Sequence, residues 1–169
     1  MDTIAQCRAL YRQAFGDDEP EFEKALFDNC FKYCKFISEN EKIVSMLFLM
    51  PTVLKTEEYN LNCGYIYAAA TLKESRGKGY MSGLIKEIGN YMPLFLKPAN
   101  EGLIGFYENL GFKTISAVKD DNLPLLCPDK GFLTLVKLFP DSENGEEYTA
   151  MYCGKSLNLK NIHFIHTME

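Results

Sequence analysis

Apolar positions recur at helical spacing from the start of the chain. Ile4, Cys7, Leu10, Tyr11, Ala14 and Phe15 predict an amphipathic helix over residues 3–15. It should stop at Gly16, before the polar Asp17-Asp18-Glu19-Pro20. A second helix follows, with Phe22, Leu26, Cys30 and Tyr33 on one face. Over 33–37 the period shifts towards that of a strand, 39–41 reads as a turn, and 42–54 as a second strand, so a hairpin is expected. The next strand covers 59–71, and its Tyr65-Ile66-Tyr67-Ala68-Ala69-Ala70 stretch is apolar on both faces, as in a central strand.

The polar turn Lys73-Glu74-Ser75 and the segment Arg76-Gly77-Lys78-Gly79 lead into a third helix, marked by Met81, Leu84, Ile85, Ile88 and Met92 and ended by Pro93. Leu94-Phe95-Leu96 is a short strand expected to run parallel to the one before that helix, completing a β-α-β unit. Pro98-Ala99-Asn100 opens a fourth helix, with Leu103, Phe106, Tyr107 and Leu110 inward and Gly111 as its stop. Residues 112–118 and 132–139 read as two further strands around a loop at 120–129, and the tail shows a strand pattern only at 148–153. With no repeat and no dividing linker, residues 1–169 are expected to form one domain.

Composition narrows the class. Hydrophobic residues make up 47% and charged residues 24%, an ordinary globular balance that argues against disorder. The longest apolar run, 43–50, ends at Pro51 and is too short to span a bilayer, so no membrane association is expected. The N-terminus lacks a charged-then-apolar signal pattern, which makes the cytoplasm the expected location. A formal net charge of −5 argues against a nucleic-acid partner and suits a neutral or cationic one. The six cysteines form no CxxC pair and read as small buried apolar residues; Cys30 and Cys34 would stack on one helix face. His163 and His166 form an HxxH without accompanying carboxylates or thiols, so no metal is expected.

The sharpest chemistry lies in Arg76-Gly77-Lys78-Gly79-Tyr80-Met81-Ser82, after a strand and at the start of a helix. The first turn of a helix has backbone N–H groups without intrahelical partners, and the macrodipole adds positive charge. Glycines let a phosphate approach the backbone closely, and Arg76, Lys78 and Ser82 add donors, so the natural occupant is a pyrophosphate. A plain glycine-rich turn with solvated Arg and Lys is the competing reading. A Walker A loop would need Ser or Thr after Lys78, where Gly79 stands, and a dinucleotide fingerprint would need glycine at Ser82.

These residues resemble the GNAT superfamily of N-acetyltransferases. Its coenzyme A loop follows Arg/Gln-x-x-Gly-x-Gly/Ala; Arg76 and Gly79 match, and Met81 departs where a small residue is usual. A second stretch, from Asn100 through Tyr107-Glu108 to Gly111-Phe112, is similar to the family's Asn-x₆-Tyr-Glu-x-x-Gly-Phe signature. The motifs cover residues 65–115; the first half agrees by element order, and the last thirty or so residues hardly at all.

The resemblance implies an α/β (α+β) fold: a mixed, mostly antiparallel central sheet, helices on both faces, and a central parallel strand pair that splays at mid-length. It implies that acetyl-CoA enters the gap, with backbone bonds from Ala69, Ala70 and Thr71, a pyrophosphate at Arg76, Gly77, Lys78, Gly79, Tyr80, Met81 and Ser82, and Asn100 touching the cofactor. Tyr107 matches the position that commonly protonates the leaving thiolate, and phenol and alkyl thiol have similar acidities. Its alternative is a core aromatic beside Phe106. No general base is visible: Glu101 and Glu108 are near in sequence but read as surface helix charges.

The expected activity is transfer of an acetyl group from acetyl-CoA to a small-molecule or peptide amine by direct attack in a ternary complex. The acceptor pocket would be lined by the first helices, their loop and the C-terminal strands. The alternatives are a non-catalytic coenzyme A-binding sensor or interaction module, and an unrelated nucleotide-binding α/β domain. A homodimer is compatible with all of these.

Overall fold

The computed structural model describes residues 2–119, 129–138, 145–155 and 162–164. The chain begins with α1 (Thr3–Phe15) and α2 (Pro20–Cys30). Gly16 ends α1 at φ +88°, donating its N–H to the Arg12 carbonyl at 2.9 Å. Pro20 opens α2, where the missing N–H costs nothing. The Glu23 carboxylate, 3% exposed, ties the two helices together by accepting from Arg12 Nε at 2.6 Å and Nη2 at 2.9 Å.

A short 3-10 turn, Phe31–Tyr33, leads to β1 (Cys34–Glu39), β2 (Lys42–Lys55) and β3 (Asn60–Thr71), an antiparallel meander. Asn40 and Glu41 both take positive φ in the β1–β2 turn, the conformation that matches strand twist in a two-residue hairpin. Then come α3 (Tyr80–Gly89), β4 (Leu94–Leu96), α4 (Ile104–Glu108), β5 (Lys113–Lys119), α5 (Lys130–Leu138), β6 (Glu147–Cys153) and β7 (Ile162–Phe164). The sheet order is β1-β2-β3-β4-β6-β5-β7, with β3–β4 and β5–β7 parallel and the other pairs antiparallel. The end of β2 also pairs with β7, so the sheet curls back upon itself at that end.

Alternation along the strands separates two cores. Met46, Phe48, Tyr65, Tyr67 and Phe95 face α1 and α2, with Leu10, Leu26 and Phe27 beneath them. Leu47, Ile66, Leu94 and Leu96 face the opposite way, against Leu84 and Ile85 of α3 and Tyr107 of α4. Each fully buried Leu or Phe contributes about 1.5–3 kcal/mol, so both faces need their helices.

Three expectations change. The strand expected over 132–139 is a helix: α5 covers Lys130–Leu138, and position 139 lies outside the described residues. Lys130, Thr134 and Lys137 are exposed and recur at helical spacing, a period that the strand reading overlooks. Leu135 is fully buried on the α1/α2 face, and Lys32 Nζ pairs with Asp129 Oδ2 at 2.8 Å to fix the start of α5 beside α2. Second, Cys30 closes α2 whereas Cys34 opens β1, and Cys34 meets Cys7 of α1, Sγ to Sγ 4.0 Å. Third, β7 lies in a tail that shows no clear pattern in sequence. Cys127 and His166, and all of the loop expected at 120–129 except Asp129, lie outside the described residues.

The fourth helix is shorter than its sequence pattern, a 3-10 turn Glu101–Leu103 followed by α4. Gly111 at φ +92° ends it, with Gly111 N–H donating to Glu108 O and Phe112 N–H to Tyr107 O, the paired bonds of a Schellman stop. Among the described residues, no helix is long and apolar enough to cross a membrane.

Candidate active site

The parallel pairing of β3 with β4 is brief. Gly64 pairs with Leu94 and Tyr65 with Phe95, and among the described residues the two strands then part. From there β4 follows β6, while β3 continues along β2 to Thr71. The β3 edge beyond Tyr65 therefore faces a gap, and backbone groups pointing into it lack a strand partner. A bulge distorts the strand at this point: the register with β2 shifts between Met46 and Phe48, and Ala68 sits at φ +49°. A non-glycine residue in this conformation costs energy that surrounding pairing must hold. Ala69 packs towards α3, Ala70 towards α1, and Thr71 Oγ1 shares a 2.9 Å bond with Ser45 Oγ.

After Thr71 the chain makes a 3-10 turn at Lys73–Ser75, and Arg76 Nε donates back to the Thr71 carbonyl at 3.2 Å. Gly77 and Gly79 take φ +77° and +83°, and a Cβ on either would meet nothing within 4 Å. Both glycines are thus required by backbone conformation, and space lies open above them. Gly79 is the N-cap of α3 and supplies no side-chain cap; its carbonyl accepts the Gly83 N–H at 2.9 Å. The N–H groups of the first turn, at Tyr80, Met81 and Ser82, carry the partial positive charge of the helix start. Lys78 Nζ lies 3.9 Å from Glu39 Oε2 at the end of β1. The same carboxylate holds the Tyr80 phenol above its ordinary pKa. Met81, which replaces the smaller residue of the motif, is partly buried and packs against the apolar cluster of Leu84 and Ile85. Ser82 is half-buried.

Tyr107 is 8% exposed on α4, edge-on to Phe106 at 5.1 Å and Phe112 at 5.6 Å. It shares the apolar cluster with Ile66 of β3 and Leu96 of β4, the residues just past the point where those strands part. Asn100 is exposed, and its carbonyl accepts the Leu103 N–H at 3.1 Å to start the 3-10 turn. Glu101 and Glu108 are exposed, as surface charges would be. The structure thus brings 69–71, 76–82 and Tyr107 to one sheet gap and the two helix starts beside it.

Sequence reading missed the polar residues of the opposite face. Burial raises the Tyr11 pKa, Glu19 and Glu23 add to the rise, and Tyr67 lies beside it. Tyr67 lies edge-on to Phe22 at 6.3 Å and next to Tyr65 at 6.4 Å, and Tyr65 reaches Phe95 of β4 at 5.8 Å. Tyr65 and Tyr67 share a face at i, i+2 spacing, and Tyr11 on α1, which lies beside Tyr67, is more than fifty positions distant in sequence. Among the described residues no cluster of three or more His, Cys, Asp or Glu side chains could hold a metal ion.

The acetyltransferase (GNAT) domain model matches residues 1–115, the stretch that holds the gap, the glycine turn and Tyr107. The chain belongs to the GNAT acetyltransferase family. Solved structures agree on the fold. A histone acetyltransferase HPA2 and related acetyltransferase from Corynebacterium glutamicum superposes with TM-score 0.58 at 16% identity, over 91% of this chain and 92% of that one. A GCN5-related N-acetyltransferase from Kribbella flavida gives TM-score 0.54 at 15% identity, over 68% of this chain and 34% of that one. A probable N-acyltransferase from Enterococcus faecalis gives 0.56 at 17% identity, over 68% and 32%. The GNAT chain thus spans about a third of the length of the last two relatives. No curated protein sequence matches it.

Proposed function

We propose that this GNAT protein is an N-acetyltransferase that moves an acetyl group from acetyl-CoA to an amine by direct attack in a ternary complex. One observation carries the reading: the open edge of β3 runs straight into the uncapped, glycine-opened start of α3. An extended amide-containing arm can add to a strand edge, and a pyrophosphate at its far end meets the N–H groups of Tyr80, Met81 and Ser82. Arg76 and Lys78 add charge there, Ala69, Ala70 and Thr71 offer the edge, and Asn100, exposed before the 101–103 turn, is assigned a contact with the cofactor.

Attack by a neutral amine on a thioester builds negative charge on the carbonyl oxygen, which a backbone N–H of the bulged edge is suited to receive. The carbon–sulfur bond then breaks, Tyr107 supplies a proton to the departing sulfur, and the proton shed by the new amide nitrogen passes to water, from which the phenol is restored. A second reading rests on the environment of Tyr107, whose ring is enclosed by apolar side chains. If that enclosure is its whole role, the protein is a coenzyme A-binding sensor or interaction module without turnover.

Two measurements separate these readings. Calorimetry with acetyl-CoA, beside ATP and NAD, should show selective binding of acetyl-CoA, and no binding would end both. Tyr107→Phe should leave acetyl-CoA affinity within about twofold and lower turnover by about 10²-fold. Unchanged turnover would remove the assigned role.

A further inference from the structure

Cys7 in the middle of α1 and Cys34 at the start of β1 are 27 positions apart in sequence, yet their sulfurs stand 4.0 Å from each other. Both belong to the core shared by α1, α2 and the sheet, Cys7 with no exposed surface and Cys34 with 8%. The Cys34 S–H donates to the Cys7 sulfur. Among the described residues this is the one hydrogen-bonded pair of thiols.

That contact makes the two sulfurs unequal. The bond from Cys34 favours negative charge on Cys7 and holds its pKa below the ordinary thiol value, against the opposing effect of burial. The same bond raises Cys34, whose proton it uses, and burial adds to the rise. Burial alone raises Cys63 and Cys153, and it is the main cause of the rise at Cys30. Cys7 is therefore the described thiol most favoured as thiolate, the reactive form, and a second thiol already touches it.

We infer that Cys7 and Cys34 join in an internal disulfide when the folded protein meets a hydroperoxide, and that this bond ties α1 to the edge strand β1. The Cys7 thiolate attacks one oxygen of hydrogen peroxide and breaks the O–O bond. Its sulfur becomes a sulfenic acid, and the other oxygen leaves as hydroxide, which takes the proton given up by Cys7 to form water. The Cys34 sulfur then displaces the sulfenic hydroxyl. The S–S bond forms, and the hydroxyl departs with the Cys34 proton as a second water. Two thiols have lost two electrons in all, and one peroxide has gained them.

The geometry suits this chemistry. Hydrogen peroxide is close to water in size, and the slight exposure of Cys34 gives the pair its outlet. Disulfide sulfurs lie about 2.05 Å apart, so the pair closes by about 2 Å through rotation of both side chains and a small approach of α1 to β1. The loop so closed contains the whole of α2. Closing it removes freedom from the unfolded chain and should stabilise the fold. Nothing in this step requires the acetyl-transfer reading.

The test treats the folded full chain with hydrogen peroxide, removes the excess with catalase and blocks the remaining thiols with N-ethylmaleimide in denaturant. Trypsin digestion follows, without reduction. Cleavage after Arg8, Lys24, Lys32 and Lys35 leaves Cys7 in 1–8, Cys30 in 25–32 and Cys34 in 33–35, so mass spectrometry distinguishes the links. The main linkage should join 1–8 to 33–35, lighter than the sum of the two peptides by a pair of hydrogens. The melting temperature should rise by about 5 °C or more and return to its starting value with dithiothreitol. Cys7→Ala and Cys34→Ala should each lose both the link and the rise, and Cys30→Ala should keep them. A main linkage through any other cysteine would overturn the inference. So would oxidation of Cys7 without a link, or recovery of both thiols blocked by maleimide from the treated wild-type protein. A link formed with no rise in melting temperature would overturn the tie between α1 and β1.

Discussion

Gly131 at the start of α5 lies directly against the backbone of Asn29 near the end of α2: a Cβ on Gly131 would stand 2.5 Å from the Asn29 carbonyl oxygen. The neighbour is backbone, so a side chain there cannot be accommodated by a rotamer change. Alanine is the better helix former by about 1 kcal/mol, yet overpacking typically costs about 1–3 kcal/mol. Gly131→Ala should therefore lower the midpoint of urea denaturation. A raised midpoint would mean that α5 does not rest on α2.

Gly83 in α3 gives the opposite expectation. Its φ is not positive, and a Cβ there would meet nothing within 4 Å. Only the propensity difference remains, so Gly83→Ala should stabilise the fold by about 0.5–1 kcal/mol, read from the same urea titration. A loss of stability would show that this glycine has a contact the open surface does not account for.

The difference between these glycines shows what the sequence could and could not reveal. The Gly77–Gly79 turn, β3 and the Tyr107 helix were legible because each announces itself within some ten residues. Periodicity, helix stops and a local motif suffice for them. The mistaken strand at 132–139 arose because a short, mostly apolar segment satisfies both periods until its neighbours are known. Packing against α2, through Gly131 and the Lys32–Asp129 pair, is what favours the helix. The approach of Tyr11 to Tyr67 and the pairing of β2 with β7 are long-range contacts, and no local pattern encodes them. The split of Cys30 and Cys34 between a helix and a strand depends on the 3-10 turn at Phe31–Tyr33, too short to show as a period.

Buried thiols predict an alkaline limit to stability. Burial is the main cause that pushes the Cys30 thiol up to about 12, and it raises Cys63 in the same direction. In the unfolded chain both thiols ionise near the ordinary value of about 8.5. Between these values the folded state holds protons that the unfolded state has released, so stability is greatest below pH 8.5 and declines as pH rises towards 12. Cys30→Ala should lose some packing at neutral pH but show a shallower decline in melting temperature from about pH 8.5 to 10.5. A slope equal to that of the wild type would indicate that Cys30 is no more protected folded than unfolded.

The glycine turn can be examined by separating its conformational role from its binding role. Gly79 holds φ +83° at the N-cap of α3 with free space around it, so alanine there would suffer backbone strain without a clash. Strain of this kind costs about 1–2 kcal/mol for an ordinary residue, and less for asparagine, which visits the left-handed region more readily. Stability should fall in the order Gly79, Gly79→Asn, Gly79→Ala. If the pyrophosphate of acetyl-CoA rests on the first-turn N–H groups, affinity should follow the same order. Relaxing the strain in Gly79→Ala would rotate those donors away, and a tenfold loss of affinity corresponds to about 1.4 kcal/mol, within the energy stored there. Gly83→Ala, which leaves the turn alone, should bind acetyl-CoA as the wild type does. Gly79→Ala with lowered stability but full affinity would move the phosphates elsewhere on the protein, leaving the turn as architecture alone.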